Sequence, residues 1–278
     1  MNTSRRSRTD AEALSGLAAR LTPRDYTLLD FLARHRIATA ATIAAIFFTN
    51  RRRAALRIQT LTDLGLLTRS RVPGSGAYRY TLAWAGAAIH ALRTGAMPPS
   101  RAEAAWGAQR LFHSAHRPHK EAVNGFIAHL HLDARARGGV RVTEWLNEAE
   151  ASAEIIGARP DAAGTVAWDE GRILRFWFEL DRDTEPISAL AAKIARYKTG
   201  RLAGVLGDRV LLFGLPDVAR LAALERACPA TGDLTVAATV ARGVPQTSDL
   251  YGGDNGLLSD DLWRVLGGTW TSLASLAR

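Results

Sequence analysis

Three acidic residues in the second half of the chain have types and spacing suited to metal-ion chemistry. Asp161 precedes a predicted strand, and Glu179 and Asp181 lie two apart at the end of the next one. Residues two apart on a strand face the same side, and a hairpin would bring Asp161 beside them. Converging carboxylates bind Mg²⁺ or Mn²⁺, and such an ion can polarise a phosphate and generate an attacking hydroxide. We therefore expect the three side chains to lie together at one sheet edge.

The same carboxylates have a simpler interpretation, a charged strand end that runs into a polar loop. Three carboxylates without a cation repel one another, which raises the pKa of at least one of them. The site should then either bind a divalent ion or recruit Arg159, Arg182 or Lys193 as a counter-charge. We predict that one of these basic side chains supplies the positive charge, so that no metal cofactor is required. If the site were active, Lys193 would join the three carboxylates as a catalytic residue, with Mg²⁺ or Mn²⁺ as cofactor.

A second set of candidate residues lies in residues 49–82, which the pattern predicts to be a helix followed by a two-stranded hairpin. Thr49 or Asn50 can cap the helix, an apolar stripe recurs at helical spacing, and Gly65 ends it. Residues 72–76 have the composition of a hairpin turn. With two predicted helices before it, this order is typical of a winged helix-turn-helix, although a solvated basic helix beside an ordinary hairpin is the alternative.

The arginines of this stretch lie where a DNA-binding module needs them. A groove-reading helix presents its N-terminal residues to base edges, and the arginine fork donates two hydrogen bonds to guanine. Arginines beside the hairpin tip can hold phosphates. The residues expected to contact DNA are Asn50, Arg51, Arg52, Arg53, Arg57, Arg69, Arg71 and Arg79.

The charge distribution also indicates a polyanion-binding first half. Residues 1–110 contain 17 Arg, no Lys and 6 acidic residues, whereas the remaining 168 residues contain 19 basic and 21 acidic ones. The net charge of +9 therefore arises entirely in the first half.

Cys228 is the only cysteine, which excludes an intramolecular disulfide and fits a reducing cytoplasm. No segment resembles a signal peptide or a membrane span, so we expect a cytoplasmic protein that does not contact membranes.

The second half alternates predicted strands and helices, which indicates an α/β sandwich around a mixed sheet. Histidines cluster near residues 113–131, where packing or surface roles are favoured over a metal site. The expected fold class is α+β or α/β. The expected domains are a flexible basic arm (1–20), the winged helix-turn-helix (21–93), a linker (94–107), the α/β domain (108–242), and a polar loop with a docked C-terminal tail (243–278).

Several motifs resemble the replication-relaxation family of bacterial plasmids and integrated mobile elements. They are Arg-Pro-Asp at 159–161, Glu-Leu-Asp-Arg-Asp-Thr-Glu at 179–185, and Lys193 with Tyr197. The resemblance covers about residues 22–228 and implies a winged helix followed by a second domain. It implies a role in plasmid replication or its control, without an established reaction.

The second domain also resembles the PD-(D/E)xK nuclease-like fold, because Pro160-Asp161 and Glu179 match that pattern. Asp181 stands where the pattern has lysine, so the resemblance implies a site that is inactive or uses Lys193 or Lys198 instead. Glu121 could provide a further carboxylate.

The preferred interpretation is a DNA-binding protein in replication, maintenance or transfer of a mobile element, with an inactive nuclease-like domain. Its partners would be double-stranded DNA and replication or transfer proteins of the element. A metal-dependent endonuclease and a winged-helix transcription regulator are the alternatives. A homodimer stays open, as does the DNA sequence that is bound.

Overall fold

The computed structural model describes residues 3–71, 76–202, 208–229, 232–240 and 256–278. The chain divides into two compact units, Met1–Glu121 and Ala122–Arg278. Within the described residues, no helix combines the length and the apolar content needed to cross a membrane.

The first unit is mainly helical and contains one small antiparallel sheet with the strand order β1-β3-β2. Helix α7 begins in this unit and continues into the second. The elements are α1 (Thr3–Ala18), α2 (Pro23–His35), β1 (Ala38–Thr39), α3 (Ala40–Phe47), α4 (Arg51–Asp63), β2 (Leu67–Arg71), β3 (Tyr78–Leu82), α5 (Trp84–Arg93), α6 (Arg101–Phe112) and α7 (Arg117–Arg137).

Short-range hydrogen bonds explain where these helices begin. Thr22 and Asp25 form a capping box at α2, and the Thr39 and Asn50 side chains cap α3 and α4. Gly65 follows α4 with a φ of 71°, a conformation that glycine adopts without a Cβ clash. The predicted helices and hairpin strands are therefore present, although residues 72–75 of the predicted turn lie outside the described residues.

Two predicted boundaries differ from the structure. The expected flexible arm contains α1, whose Leu14 is buried, and the Tyr26 hydroxyl donates a hydrogen bond to the carbonyl of Ala18. The expected linker 94–107 is helical from Arg101 onward, because Ser100 begins α6 with a capping box. The boundary between the units comes after Glu121 instead.

The second unit contains a seven-stranded sheet with the order β10-β9-β8-β7-β6-β5-β4. Its elements after α7 are β4 (Val140–Asn147), α8 (Glu148–Ser152), β5 (Ala162–Trp168), β6 (Ile173–Leu180), α9 (Ile187–Leu202), β7 (Arg209–Leu215), α10 (Val218–Ala227), β8 (Val236–Val240), β9 (Trp263–Val265), β10 (Trp270–Thr271) and α11 (Leu273–Leu276). Strands β6, β7 and β8 are parallel neighbours, while the outer pairs are antiparallel. The mixed α+β class predicted from the sequence is confirmed.

Alternation along β6 decides which side chains meet which helix. The ring of Phe178 stacks on Phe126 of α7, with 4.0 Å between the ring centroids. The neighbouring Trp177 faces the opposite side, where it packs against Tyr197 of α9. Because side chains alternate along a strand, Glu179 also lies on the α9 side of the sheet.

The C-terminal segment is part of the sheet rather than a docked tail. Strands β9 and β10 extend the sheet beyond β8, and Trp263 is fully buried, with its Nε1 donating to the carbonyl of Leu257. The expected polar loop falls largely on residues 241–255, which lie outside the described residues.

Candidate functional site

The N-terminal turn of α4 presents three adjacent arginines to solvent. Arg51, Arg52 and Arg53 are exposed, whereas Ala54 on the following position is buried. The Asn50 side chain accepts a hydrogen bond from the backbone N–H of Arg53 at 3.0 Å, which makes Asn50 the helix cap. The predicted cluster of basic side chains on one helix end is therefore present on the surface of the first unit.

Arg57, one turn later, has a different environment from the other three. Its guanidinium donates to the buried Asp25 carboxylate, with an Nε–Oδ1 distance of 2.9 Å. Burial alone would raise the pKa of Asp25, but the hydrogen bonds from Arg57 and Thr22 outweigh burial and lower it. The sequence predicted a DNA contact for Arg57, whereas the structure shows it holding α4 against the start of α2.

The hairpin arginines divide in the same way. Arg69 and Arg71 are exposed on β2, and each guanidinium lies over the ring of Tyr78, 4.4 and 4.6 Å from its centroid. Arg79 on β3 is buried, and its Nε lies 3.1 Å from Oε1 of Glu121. The interpretation of Arg79 as a phosphate contact is therefore wrong. Glu121, considered as an extra carboxylate of the acidic site, is its buried partner.

A pocket of about 700 Å³ in the second unit contains two of the three acidic residues that the sequence singled out. Asp161 and Glu179 both line it, together with Lys193 and Tyr197 of α9. An Asp161 carboxylate oxygen accepts a hydrogen bond from the backbone N–H of Leu180 at 2.8 Å, which ties the start of β5 to the end of β6. The other lining residues are Glu148, Ser152, Ile155, Gly157, Ala158, Arg159 and Arg196.

Glu179 is the central group of this pocket and is 2% exposed. Its two carboxylate oxygens accept hydrogen bonds from the Tyr197 hydroxyl at 2.7 Å and from Lys193 Nζ at 3.2 Å. Burial, and next the charge of Asp161, raise the pKa of Glu179 to about 7, although Lys193 and Tyr197 act in the opposite direction. Burial would lower the pKa of Lys193, but the surrounding carboxylates outweigh it and raise that pKa. Lys193 is thus the counter-charge of this site.

Asp181 does not join Asp161 and Glu179, and the predicted cluster of three carboxylates is wrong in this respect. Its carboxylate accepts a hydrogen bond from Nε of Arg220 in the first turn of α10, at 2.5 Å. Side chains alternate along β6 up to Leu180, but Asp181 lies beyond the end of that strand, where Arg220 of α10 supplies a guanidinium. Over the described residues, no group of three His, Cys, Asp or Glu side chains is placed to hold a metal ion.

Two residues of this region were missing from the predicted site. Tyr197 appeared only in the family motif, yet its position four residues after Lys193 places both side chains on one face of a helix. That spacing could have identified it as a partner of Glu179. Arg220 has no comparable signal, because 39 residues separate it from Asp181.

The raised pKa of Glu179 predicts a pH-dependent stability. Between its ordinary value of 4.5 and about 7, the folded state holds a proton that the unfolded state has lost. The contribution of Glu179 to stability should therefore be full below pH 4.5 and be lost, by about 3 kcal/mol, as the pH rises through 7. Glu179→Gln cannot ionise and should lack this component. Urea unfolding at pH 4.5 and pH 8 measures it, with the exposed Glu170→Gln as control. Equal pH dependence in Glu179→Gln and the unsubstituted protein would contradict the prediction.

Comparison with protein families shows a match to the Replication-relaxation family over residues 29–207. The comparisons with curated proteins and with solved structures give no match. The matched range includes α4, the hairpin, and the pocket residues Asp161, Glu179, Lys193 and Tyr197. It covers more than half of the chain and confirms the resemblance expected from the motifs. The chain belongs to the replication-relaxation family.

Proposed function

We propose that the protein binds double-stranded DNA and acts in replication, maintenance or transfer of a plasmid or integrated mobile element. In this proposal, α2, α3, α4 and the β2–β3 hairpin form a winged helix-turn-helix. The observation that carries the proposal is the row of exposed arginines at the capped N-terminus of α4. The family's name, which refers to replication and relaxation, supports the biological context.

The two sets of exposed arginines have different roles in the proposed complex. Arg52 and Arg53 enter the major groove on α4 and donate to guanine. Arg69 and Arg71 of the hairpin hold phosphates, and their stacking on Tyr78 limits the conformations of both side chains. Arg57 and Arg79 contribute by positioning these elements, through Asp25 and Glu121.

Salt-dependent binding of the full-length chain to duplex DNA from the element's origin region tests the proposal. Arginines that neutralise phosphates displace condensed counterions, so the logarithm of the affinity should fall linearly with the logarithm of the salt concentration. The full-length chain is the protein to use, because a fragment that ends before or within α7 would remove or loosen Glu121, the partner of the buried Arg79. Salt-insensitive binding, or affinity carried only by residues 122–278, would contradict the model.

We further propose that the second unit is a PD-(D/E)xK-like domain that no longer cleaves DNA and instead binds DNA or a protein partner. Asp161 and Glu179 support the likeness to that fold. The donor set does not fit a catalytic cation, since Lys193 and Tyr197 occupy both Glu179 oxygens and Arg220 binds Asp181. The exposed Arg159 and Arg196, which line the pocket, would hold a DNA backbone.

Addition of Mg²⁺ or Mn²⁺ should leave the melting temperature unchanged, because a ligand raises it only by binding the folded state. The same ions should support no cleavage of supercoiled or linear DNA. A melting-temperature shift that Asp161→Ala abolishes, together with cleavage lost in the same variant, would establish the endonuclease alternative. A promoter near the protein's own gene as sole binding site would favour the transcription-regulator alternative.

A further inference from the structure

One line of side chains on α4 faces directly away from the core of the first unit. Arg52, Leu56, Gln59 and Asp63 recur at spacings of four, three and four, opposite the buried stripe of Ala54, Ile58 and Leu61. Three of the four are polar or charged. Leu56 is the exception, and this residue is 63% exposed.

The polar residues at the C-terminal end of this line already have partners. The Gln59 amide donates to Asp63 at 2.6 Å and accepts from Arg69 at 3.1 Å. Among the described residues, Arg52 has neither a hydrogen bond nor an ion pair. Along this line of side chains, those open to a ligand are therefore the cationic group of Arg52 and the apolar group of Leu56, one helical turn apart.

Helix formation does not explain a leucine at this position. Alanine has at least the same helix propensity, and an exposed leucine side chain leaves apolar surface in water. The packing of α4 onto the core does not require Leu56 either, because Ala54, Ile58 and Leu61 are the buried residues of that helix. An apolar side chain surrounded by arginines suits a ligand that is polyanionic and carries an apolar group on the same surface.

We propose that Leu56 determines specificity by packing against the C5-methyl group of a thymine in the major groove. In the major groove, thymine presents a methyl group, and guanine presents the acceptors that arginine recognises. This inference rests on the proposed function, because it assumes that α4 lies in the groove. The separation of Arg52 and Leu56 along the helix is about 6 Å. The thymine should therefore lie within about two base pairs of the guanine contacted by Arg52.

The test begins with selection of binding sequences from a pool of random duplexes by the full-length chain. Each thymine of the selected site is then replaced by uracil, which pairs identically but lacks the methyl group. Loss of one buried methyl group should weaken binding about fourfold at one or two positions. Leu56→Ala should bind the thymine and uracil sites equally well, because the methyl group has lost its partner.

Leu92→Ala is the matched control, since Leu92 is an exposed leucine on α5 with 57% exposure. It should retain the full preference for thymine over uracil. Circular dichroism verifies that both variants are folded. A selected site that tolerates uracil at every position, or a thymine preference that persists in Leu56→Ala, overturns the assignment of Leu56 and leaves DNA binding intact. Failure to enrich any sequence overturns both this inference and the proposed function.

Discussion

Replacing Arg52 and Arg53 together by alanine should lower the affinity for the selected DNA site by about a thousandfold. A bidentate contact between arginine and guanine contributes about 1–3 kcal/mol, and two are removed. Both residues are exposed on α4, and their guanidinium groups have no partner among the described residues, so their loss should not destabilise the fold. Fluorescence anisotropy with the selected duplex and with an unrelated duplex measures the change.

Two control variants make this result interpretable. The Arg69→Ala and Arg71→Ala double variant removes the same charge from the hairpin and should weaken both duplexes equally, with a smaller salt slope. Arg141→Ala removes an exposed arginine of the second unit, which pairs with the exposed Asp169, and should change neither duplex. If the loss of Arg52 and Arg53 weakened binding to the selected and the unrelated duplex equally, as expected for the hairpin pair, α4 would contact phosphates and would not read bases.

Glu121→Gln should destabilise the protein by about 3–5 kcal/mol, because removing one member of a buried ion pair leaves an uncompensated charge. Glu121 accepts hydrogen bonds from both Arg79 and Arg117, and all three side chains are 13% exposed or less. The amide of glutamine has similar size but no charge, so the change isolates electrostatics from packing. The midpoint of urea unfolding, followed by far-UV circular dichroism, measures the loss.

Asp169→Asn provides the matched comparison for an exposed ion pair. Asp169 and Arg141 are 62% and 67% exposed, and such pairs contribute about 0–1 kcal/mol. If Glu121→Gln lowered the free energy of unfolding by less than about 1 kcal/mol, solvent or another group would have to neutralise the charges of Arg79 and Arg117.

Local sequence signals predicted most of the secondary structure around both sites. The helix and hairpin predicted for residues 49–82 agree with the structure, as do the cap at Asn50 and the helix end at Gly65. These elements depend on interactions between residues a few positions apart. The predictions failed for α1 and α6. The basic residues before Arg20 and the prolines before Ser100 indicated irregular segments, whereas burial of Leu14 and the capping box at Ser100 stabilise helices there.

Only those features of the candidate site that follow from side-chain alternation along a strand and from the family motif could be predicted from the sequence. Alternation placed Glu179 on one face of β6, and the motif placed Lys193 and Tyr197 on the following helix. The largest cause of the raised pKa of Glu179 is burial, which depends on how the chain packs around the end of β6. Neither the pocket volume nor the depth of Glu179 within it could be obtained from residue spacing.

The sequence by itself determined the order of elements in residues 49–82, the cap of α4, the surplus of arginine in the first half and membership of the replication-relaxation family. Only the tertiary structure decided which charges are available to a ligand. Arg57, Arg79 and Asp181 look like their exposed neighbours in the sequence, yet each binds a partner that lies 32, 42 or 39 residues away. Such pairs form because a charge that is buried by folding needs an opposite charge nearby, and chain folding, not sequence proximity, decides which one it meets.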